Sequence, residues 1–226
     1  MIDNVYLDAS ATTPLLPEVK QTIVDNLGLY GNASSLYSLG QEAHMAVEQA
    51  RADIAEILRC NPNCIIFNSG GSESNASIIT EVFYHLRSRG NHIITTKIEH
   101  KSVLRTCEFL EAYCGAEVTY LDVDSSGIIN LDQLRDSITD QTILISVMHT
   151  NNEIGSVQPV GDISAIARER GILFHSDCVQ AFMHRDIDYQ LFDAMSVSAH
   201  KFGGPKGVGF LYLKEGLLLP SYIHGT

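Results

Sequence analysis

From residue 39 onward the chain alternates between stretches with helical hydrophobic periodicity and short runs of aliphatic and β-branched residues. The first clear helical pattern is GQEAHMAVEQARADIAEILRC, in which five apolar side chains are predicted to share one face: Val47, Ala50, Ile54, Ile57 and Leu58. The strand-like run CIIFN follows it directly. This order of elements predicts an α/β fold with a mostly parallel sheet flanked by helices.

The remaining elements of this region are assigned by the same two patterns, helical periodicity and short runs of aliphatic and β-branched residues. Helices are predicted for SESNASIITEVFYHLRSR, KSVLRTCEFLEAYC, NLDQLRDSI and DISAIARER, and the second of them should end at Gly115. Strands are predicted for HIITTK, EVTYLDV, TILISVMH, GILFHSD, AMSVSAH and GVGFLYLK. No linker or internal repeat interrupts the series, so residues 39–226 are interpreted as one large domain.

The two ends of the chain have a different pattern. Within residues 1–38, the stretches LDASATTPLLPEV and YGNASSLYSLG are rich in turn-forming residues and lack a strong period. This segment is therefore predicted to be a loop-rich arm. The last residues, LLLPSYIHGT, contain no helix cap and no terminal element, and we expect that the large domain is truncated there.

The charge and the distribution of apolar residues exclude several classes of partner. The formal net charge is -12, from 15 Lys and Arg against 27 Asp and Glu, and it repels phosphate backbones and anionic lipid surfaces. No apolar run reaches the roughly 18 residues that span a bilayer, and MIDNVYLDAS does not resemble a signal peptide. We expect no nucleic-acid or membrane partner, and a cytoplasmic location.

The cysteines predict neither a disulfide framework nor a metal site. They are odd in number and lack the paired CxxC spacing of structural zinc sites, so free buried thiols are expected, and no metal ligand is assigned. Cys178 follows Asp177 on a predicted strand and should therefore point to the opposite face and pack in the core. The five are Cys60, Cys64, Cys107, Cys114 and Cys178.

Candidate chemistry lies where the predicted strands end, because ligands of open α/β sheets bind beyond the carboxyl ends of the strands. IIFNSGGSES carries a strand through Gly70 and Gly71 into Ser72 and the start of a helix. A helix start offers free N–H groups and a positive dipole end to a phosphate. A tight turn with a helix cap explains the same residues without any ligand.

Two further strand ends supply a carboxylate and a lysine. LFHSDCVQ ends with Asp177, and SVSAHK supplies Ser198, His200 and Lys201 before a glycine-rich turn. A lysine that forms a Schiff base, a carboxylate beside a protonated pyridine nitrogen, and a phosphate site are the groups that pyridoxal phosphate requires. The alternatives are a helix-capping role for Asp177 and a surface position for Lys201, with Lys206 as the nearest competing lysine.

Motifs along nearly the whole chain resemble those of cysteine desulfurases, which are class V, fold-type I pyridoxal phosphate enzymes. The matching stretches are YLDASATTPLLPEV, SGGSESN, IEHKSVL, VMHTNNEIGSVQP, FHSDCVQA and SAHKFGGPKGVGFLY. Their order and spacing match together, which is more specific than any single glycine loop. The resemblance implies the large, cofactor-binding domain of that fold, without the C-terminal small domain.

The resemblance also implies roles for residues around the cofactor ring. Lys201 matches the Schiff-base lysine, and Asp177 matches the partner of the pyridine nitrogen. Gln180 matches the residue that bonds the ring oxygen, and His100 matches the imidazole that stacks on the ring. Lys201 and His100 are thereby predicted to be catalytic.

The remaining implied roles concern the phosphate and the substrate. Ser72, Ser198 and His200 match phosphate ligands, with Gly71 contributing its backbone. Asn152 matches an asparagine beside both cofactor and substrate.

Three positions depart from the family pattern. Asn32, the second predicted substrate-binding residue, lies in a loop usually written Asn-Pro-Ser-Ser, and Ala33 replaces the proline here. Ser72 stands where threonine is commoner, which keeps the hydroxyl. Gly203 stands where a larger residue is common.

The function implied by the resemblance is conversion of L-cysteine to L-alanine, with the sulfur handed as a persulfide to an acceptor or iron–sulfur scaffold protein, by a homodimer. In the family the nucleophilic cysteine and the arginine that binds the substrate carboxylate lie in the C-terminal part, so this chain alone is expected to be inactive. The alternatives are another class V enzyme, such as a selenocysteine lyase or an aminotransferase, and a non-catalytic scaffold. IEHKSVL and NNEIGSVQP favour the desulfurase.

Overall fold

The computed structural model describes residues 5–221 and residue 223. The end of the predicted large domain, and part of LLLPSYIHGT, lie outside these described residues. The described strands are β1 (Ile65–Asn68), β2 (His92–Thr96), β3 (Glu117–Leu121), β4 (Thr142–Ser146), β5 (Leu173–Asp177), β6 (Ala194–Ser198) and β7 (Gly209–Leu213). Each one falls inside a segment that the hydrophobic pattern assigned to a strand.

The seven strands form one sheet in the order β1-β7-β6-β5-β4-β2-β3. The neighbours from β6 through β5, β4 and β2 to β3 all pair in parallel, whereas β7 pairs antiparallel with both β6 and β1. The expectation of a mostly parallel sheet is confirmed. Because the parallel strands share one direction, their carboxyl ends meet at one edge, which is where the polar side chains of the candidate site lie.

Helices cover both faces of this sheet. The described α-helices are α1 (Pro17–Asn26), α2 (Ser38–Leu58), α3 (Gly71–Leu86), α4 (Lys101–Cys114), α5 (Leu131–Ser137) and α6 (Val160–Glu169). The helix α4 ends as predicted at Gly115, which adopts a left-handed conformation with φ 78°. No helix among the described residues is long and apolar enough to cross a membrane.

The strands place alternate side chains in two separate hydrophobic cores. On β4, Leu144 packs in the core beneath α3 and α4, and the next residue, Ile145, packs in the core on the side of α5 and α6. On β2, Ile93 and Ile94 divide in the same way. This is the two-residue period of a strand that is buried on both faces, and it explains why these strands read as continuous apolar runs.

Two expectations about the N-terminal region are corrected by the structure. The segment predicted to be a loop-rich arm contains α1, which begins at Pro17 and has no buried residue. In α2 the predicted apolar stripe is wrong over most of its length: Val47 and Ile57 are exposed, and burial is concentrated at Ala55 and Leu58. The reason is that the elements that α2 contacts, β1 and the turn before it, lie against its last turns.

A buried histidine links three strands of the sheet. His175 on β5 is 1% exposed, and its ring nitrogens each lie 2.9 Å from a serine hydroxyl, Nδ1 from Ser146 on β4 and Nε2 from Ser196 on β6. Burial lowers the pKa of His175 to about 3. The imidazole is therefore neutral and has a structural role.

His175 should make folding sensitive to acid. Between pH 6.5 and 3 the unfolded chain binds a proton at His175 that the folded chain does not, so this contribution to stability falls as the pH falls. We expect the stability advantage of the parent over His175→Gln to shrink by about 2 kcal/mol from pH 7 to pH 5 in urea unfolding. His44→Gln, at an exposed position, is the control; an advantage of the parent over His175→Gln that does not change with pH would contradict this role.

Candidate active site

A cavity of about 670 Å³ opens at the carboxyl ends of the parallel strands, against the N-terminus of α3. Its size lies in the range of roughly 300–1,000 Å³ that is typical of small-molecule sites. The predicted site residues that line it are Gly71, Ser72, His100, Asn152, Asp177, Gln180, Ser198, His200 and Lys201. The fold therefore brings together residues that are separated by up to 130 positions in the chain.

Asp177 is the buried carboxyl group of this cavity. It ends β5, is 4% exposed, and accepts hydrogen bonds from Val179 N (3.0 Å) and from Asn75 Nδ2 (2.7 Å). Burial raises the pKa of Asp177, against the opposing effects of these two bonds and of nearby His100 and Lys201. Among the described residues, no ion pair includes Asp177. The site therefore holds a carboxylate that a cation at short range would stabilise.

A hydrogen-bond chain connects this carboxylate to His100. Asn75 Nδ2 donates to Asp177 and lies 2.9 Å from Ser102 Oγ, and Ser102 Oγ lies 2.8 Å from His100 Nδ1. The backbone N–H of Ser102 also donates to the same ring nitrogen, so His100 is the N-cap of α4. The imidazole is thus fixed by local capping while remaining in the cavity wall.

The N-terminus of α3 forms the opposite side of the cavity. The first hydrogen bond within this helix runs from Ser74 N to Gly70 O (3.0 Å), so the N–H groups of Gly71 and Ser72 have no partner within the helix. Gly70 has φ 140° and ψ -172°, a conformation open essentially to glycine alone. A Cβ there would lie 3.1 Å from Ser198 Oγ, so the glycine also keeps the hydroxyl accessible.

Lys201 lies on the short turn after β6 and is held by the N-terminal arm. Its Nζ donates to the carbonyl oxygens of Ser10 and Ala11, the latter at 3.0 Å, and Gln180 Nε2 donates to the same Ser10 oxygen at 2.8 Å. Burial lowers the pKa of Lys201. Nearby carboxylates oppose this shift, and Asp177 has the largest opposing effect. A lowered ammonium pKa increases the fraction of neutral, nucleophilic amine.

Of the remaining predicted residues, His200 and Asn152 line the cavity and Asn32 does not. His200 Nδ1 lies 3.1 Å from Thr12 Oγ1, and burial lowers the pKa of His200. Asn152 lines the cavity with its Nδ2 donating to Glu153 (2.6 Å). Asn32 does not line the cavity: it is exposed, and its side chain accepts a bond from Ser34 N within its own turn.

Several residues that shape the cavity were not found by sequence reasoning. Asn75 and Ser102 act through other side chains, and the arm contributes carbonyl oxygens from Ser10 and Ala11. Asn75 follows the first turn of α3, so its place on the same helix as the SGGSES loop was the available signal. Backbone carbonyls leave no such signal in a sequence.

Comparison with known proteins identifies the family. The sequence model of aminotransferase class-V matches residues 5–221. The chain belongs to the aminotransferase class-V family. Curated class-V relatives include cysteine desulfurase IscS of Clostridium botulinum, 46% identical over the whole of this chain, and cysteine desulfurase IscS of Dictyoglomus turgidum, 46% identical over 98% of it.

The chain covers only part of each relative. It spans 57% of the length of both curated relatives. Among solved class-V structures, "SspA in complex with cysteine" superimposes with a TM-score of 0.93 at 38% identity, covering 99% of this chain and 65% of that one. A "NifS-like protein" superimposes with a TM-score of 0.92 at 38% identity, covering 98% and 62%. The fold is therefore that of the N-terminal part of these relatives.

The strained glycine of this class-V site gives a direct test of the geometry. We expect Gly70→Ala to destabilise the chain by about 1–3 kcal/mol, because alanine is strained at φ 140°. The measurement is urea unfolding. Gly161→Ala is the matched control, since a Cβ there meets no atom within 4 Å and the position lies in α6. Equal stability of the two variants would show that the loop does not need this conformation.

Proposed function

We propose that this chain is the cofactor-binding part of a pyridoxal phosphate-dependent cysteine desulfurase. The whole protein would convert L-cysteine to L-alanine and pass the sulfur to an acceptor as a persulfide. The observation that carries the proposal is the convergence of Lys201, Asp177 and the α3 N-terminus on one cavity. Identity of 46% to cysteine desulfurases along the whole chain supports this reaction over others of the class-V family.

The residues present fit pyridoxal phosphate. The cavity contains a buried carboxyl group, Asp177, that forms no ion pair among the described residues, and a protonated pyridine nitrogen would supply one. At the other side, unpaired N–H groups of α3 and the hydroxyl of Ser198 suit a phosphate. A lysine with a lowered pKa suits an aldehyde.

When bound, pyridoxal phosphate supplies an electron sink that makes the Cα proton of an amino acid acidic. Asp177 would keep the ring nitrogen protonated, since an ionised carboxylate favours the cationic form of its neighbour. Lys201 would attach the cofactor and, once released, move the proton at Cα. His100 would cover the ring and exclude water from that face.

The other predicted residues would orient the two ligands. Ser72, Ser198 and His200, with the backbone of Gly71, would hold the phosphate, and Gln180 would donate to the ring oxygen. Asn152 would lie beside cofactor and substrate. A substrate role for Asn32 requires the 30–37 segment to approach the cavity, because its side chain is bonded within its own turn in this structure.

Sulfur transfer needs a thiolate that this chain does not offer. The attacking thiolate would form a sulfur–sulfur bond as the carbon–sulfur bond of cysteine breaks. The substrate carbon would keep the electron pair of that bond and gain a proton to become the methyl group of alanine, and a persulfide would remain on the attacking cysteine. None of the chain's five cysteines lines the cavity. Burial raises the pKa of Cys60 to about 11 and of Cys107 to about 12, and it also raises the pKa of Cys64 and Cys178.

The partners of the whole protein are proposals of the same kind. The iron–sulfur role is suggested by the IscS name of the relatives, and an acceptor or scaffold protein would receive the persulfide. The homodimer and the cytoplasmic location remain predictions. Among the described residues, α1 has no buried side chain, and Val24 and Leu27 near its end are exposed, as expected of a surface that another subunit or domain covers.

Lys201 should carry the cofactor covalently. We expect that incubation of the chain with pyridoxal phosphate, borohydride reduction and peptide mapping will locate a stable adduct on Lys201. Its pKa is lowered by burial, and it lies in the wall of the cavity. Lys201→Arg is the control and should give no adduct. An adduct on Lys206 instead, or on no residue, would contradict the assignment and with it the proposed function.

The 226-residue chain should not release sulfide catalytically. We expect no repeated turnover when it is incubated with pyridoxal phosphate, L-cysteine and a reductant, because no thiol of the chain lines the cavity. Sulfide and alanine are measured together. Turnover that is abolished by changing one of the five cysteines to serine would make that cysteine the nucleophile and overturn this expectation.

A further inference from the structure

A second buried carboxyl group lies directly beside the candidate site. Glu99 occupies the connection between β2 and α4, immediately before His100, and is 6% exposed. Its Oε1 accepts hydrogen bonds from Thr96 Oγ1 (2.8 Å) and from Met148 N (2.9 Å). Its Oε2 is buried and has no hydrogen-bond partner among the described residues.

These contacts connect two loops that each reach the cavity. The 97–100 loop carries His100, and the 148–154 loop carries Met148 and Asn152, all of which line the cavity. Glu99 reaches from the first loop to the backbone of the second. The two loops are also joined in the reverse direction, because the side chain of Asn151 donates to Ile98 O at 2.7 Å.

The surroundings of Glu99 favour the neutral acid. A buried carboxylate needs donors on both oxygens, and only Oε1 has them. The titratable groups that face it are Asp177 on β5 and Cys107 on α4, and no lysine or arginine forms an ion pair with it among the described residues. Burial raises the pKa of Glu99 to about 8.

We propose that Glu99 is a positioning residue which, as a neutral acid, fixes His100 and the 148–154 loop relative to each other and adds no second negative charge beside Asp177. The proposal rests on the proposed function, since it concerns the same site. A second negative charge beside Asp177 would compete for the cation that Asp177 is there to hold. A neutral carboxyl group keeps the loop contacts without that competition.

The charge state can be tested on the cofactor-free chain. Between about pH 4.3 and pH 8 the folded parent holds a proton at Glu99 that the unfolded chain releases, so the parent loses stability as the pH rises. Glu99→Gln keeps the amide oxygen for Thr96 and Met148 and cannot titrate. We expect the unfolding constant of the parent, relative to Glu99→Gln, to rise by up to tenfold per pH unit across this window.

A matched control separates this effect from the loss of any glutamate. Glu42→Gln removes an exposed carboxylate on α2 and should leave the pH dependence of the parent unchanged. A ratio of unfolding constants between the parent and Glu99→Gln that is flat from pH 5 to pH 8 would show that Glu99 is ionised in the fold and overturn the proposal. This arm needs no cofactor, so it stands even if the proposed function fails.

The positioning role is tested by comparing Glu99→Gln with Glu99→Ala. In hydrogen exchange, the Met148 amide should stay protected in Glu99→Gln and exchange at least tenfold faster in Glu99→Ala, because only the former keeps an acceptor. The absorption maximum of added pyridoxal phosphate should match the parent in Glu99→Gln and shift in Glu99→Ala. Loss of Met148 amide protection to the same extent in both variants would overturn the positioning role. If the parent itself binds no pyridoxal phosphate, that result counts against the proposed function alone. If Glu99→Ala does not fold, loss of Met148 protection in Glu99→Gln would by itself overturn the role.

Discussion

The burial of the Asp177 carboxylate is the constraint on which the rest of the site depends. Ionising a group at 4% exposure is costly, and two hydrogen bonds, rather than a salt bridge, offset part of that cost. One bond comes from Asn75 on α3, and the other comes from the backbone of Val179 in the turn after β5. The carboxyl group is therefore held in place without an ion pair among the described residues, and a cation bound beside it would favour its ionised form.

The parallel sheet explains why so many polar residues share this edge. It also explains which of these residues could be predicted from the sequence. Strands such as β2 and β4 are apolar on both faces, so their pattern is strong, and side chains that break it at the strand end, such as Asp177 and Ser198, were identified directly. Asn75 and Glu99 were missed because their role depends on contacts with residues roughly 50 to 100 positions away, which no local period encodes.

The errors in the N-terminal region have a related physical cause. Amphipathic spacing predicts which face of a helix can be buried, but burial needs a partner, and α2 meets its partners only near Ala55 and Leu58. Val47 on the same helix is exposed for that reason. The helix α1 was missed because turn-forming residues around Pro17 masked a short helix that has no buried side chain to give it a period.

Lys201 lies in the cavity wall directly after β6 and also binds the N-terminal arm. Its ammonium donates to the carbonyl oxygens of Ser10 and Ala11, so the arm residues before α1 stabilise the charged form, while burial favours the neutral form. To react with an aldehyde the nitrogen must lose its proton and give up these bonds. Gln180 donates to the same Ser10 oxygen, so two side chains of the cavity wall bind the arm through one carbonyl group. The arm is thus part of the site, although its own sequence has no catalytic motif.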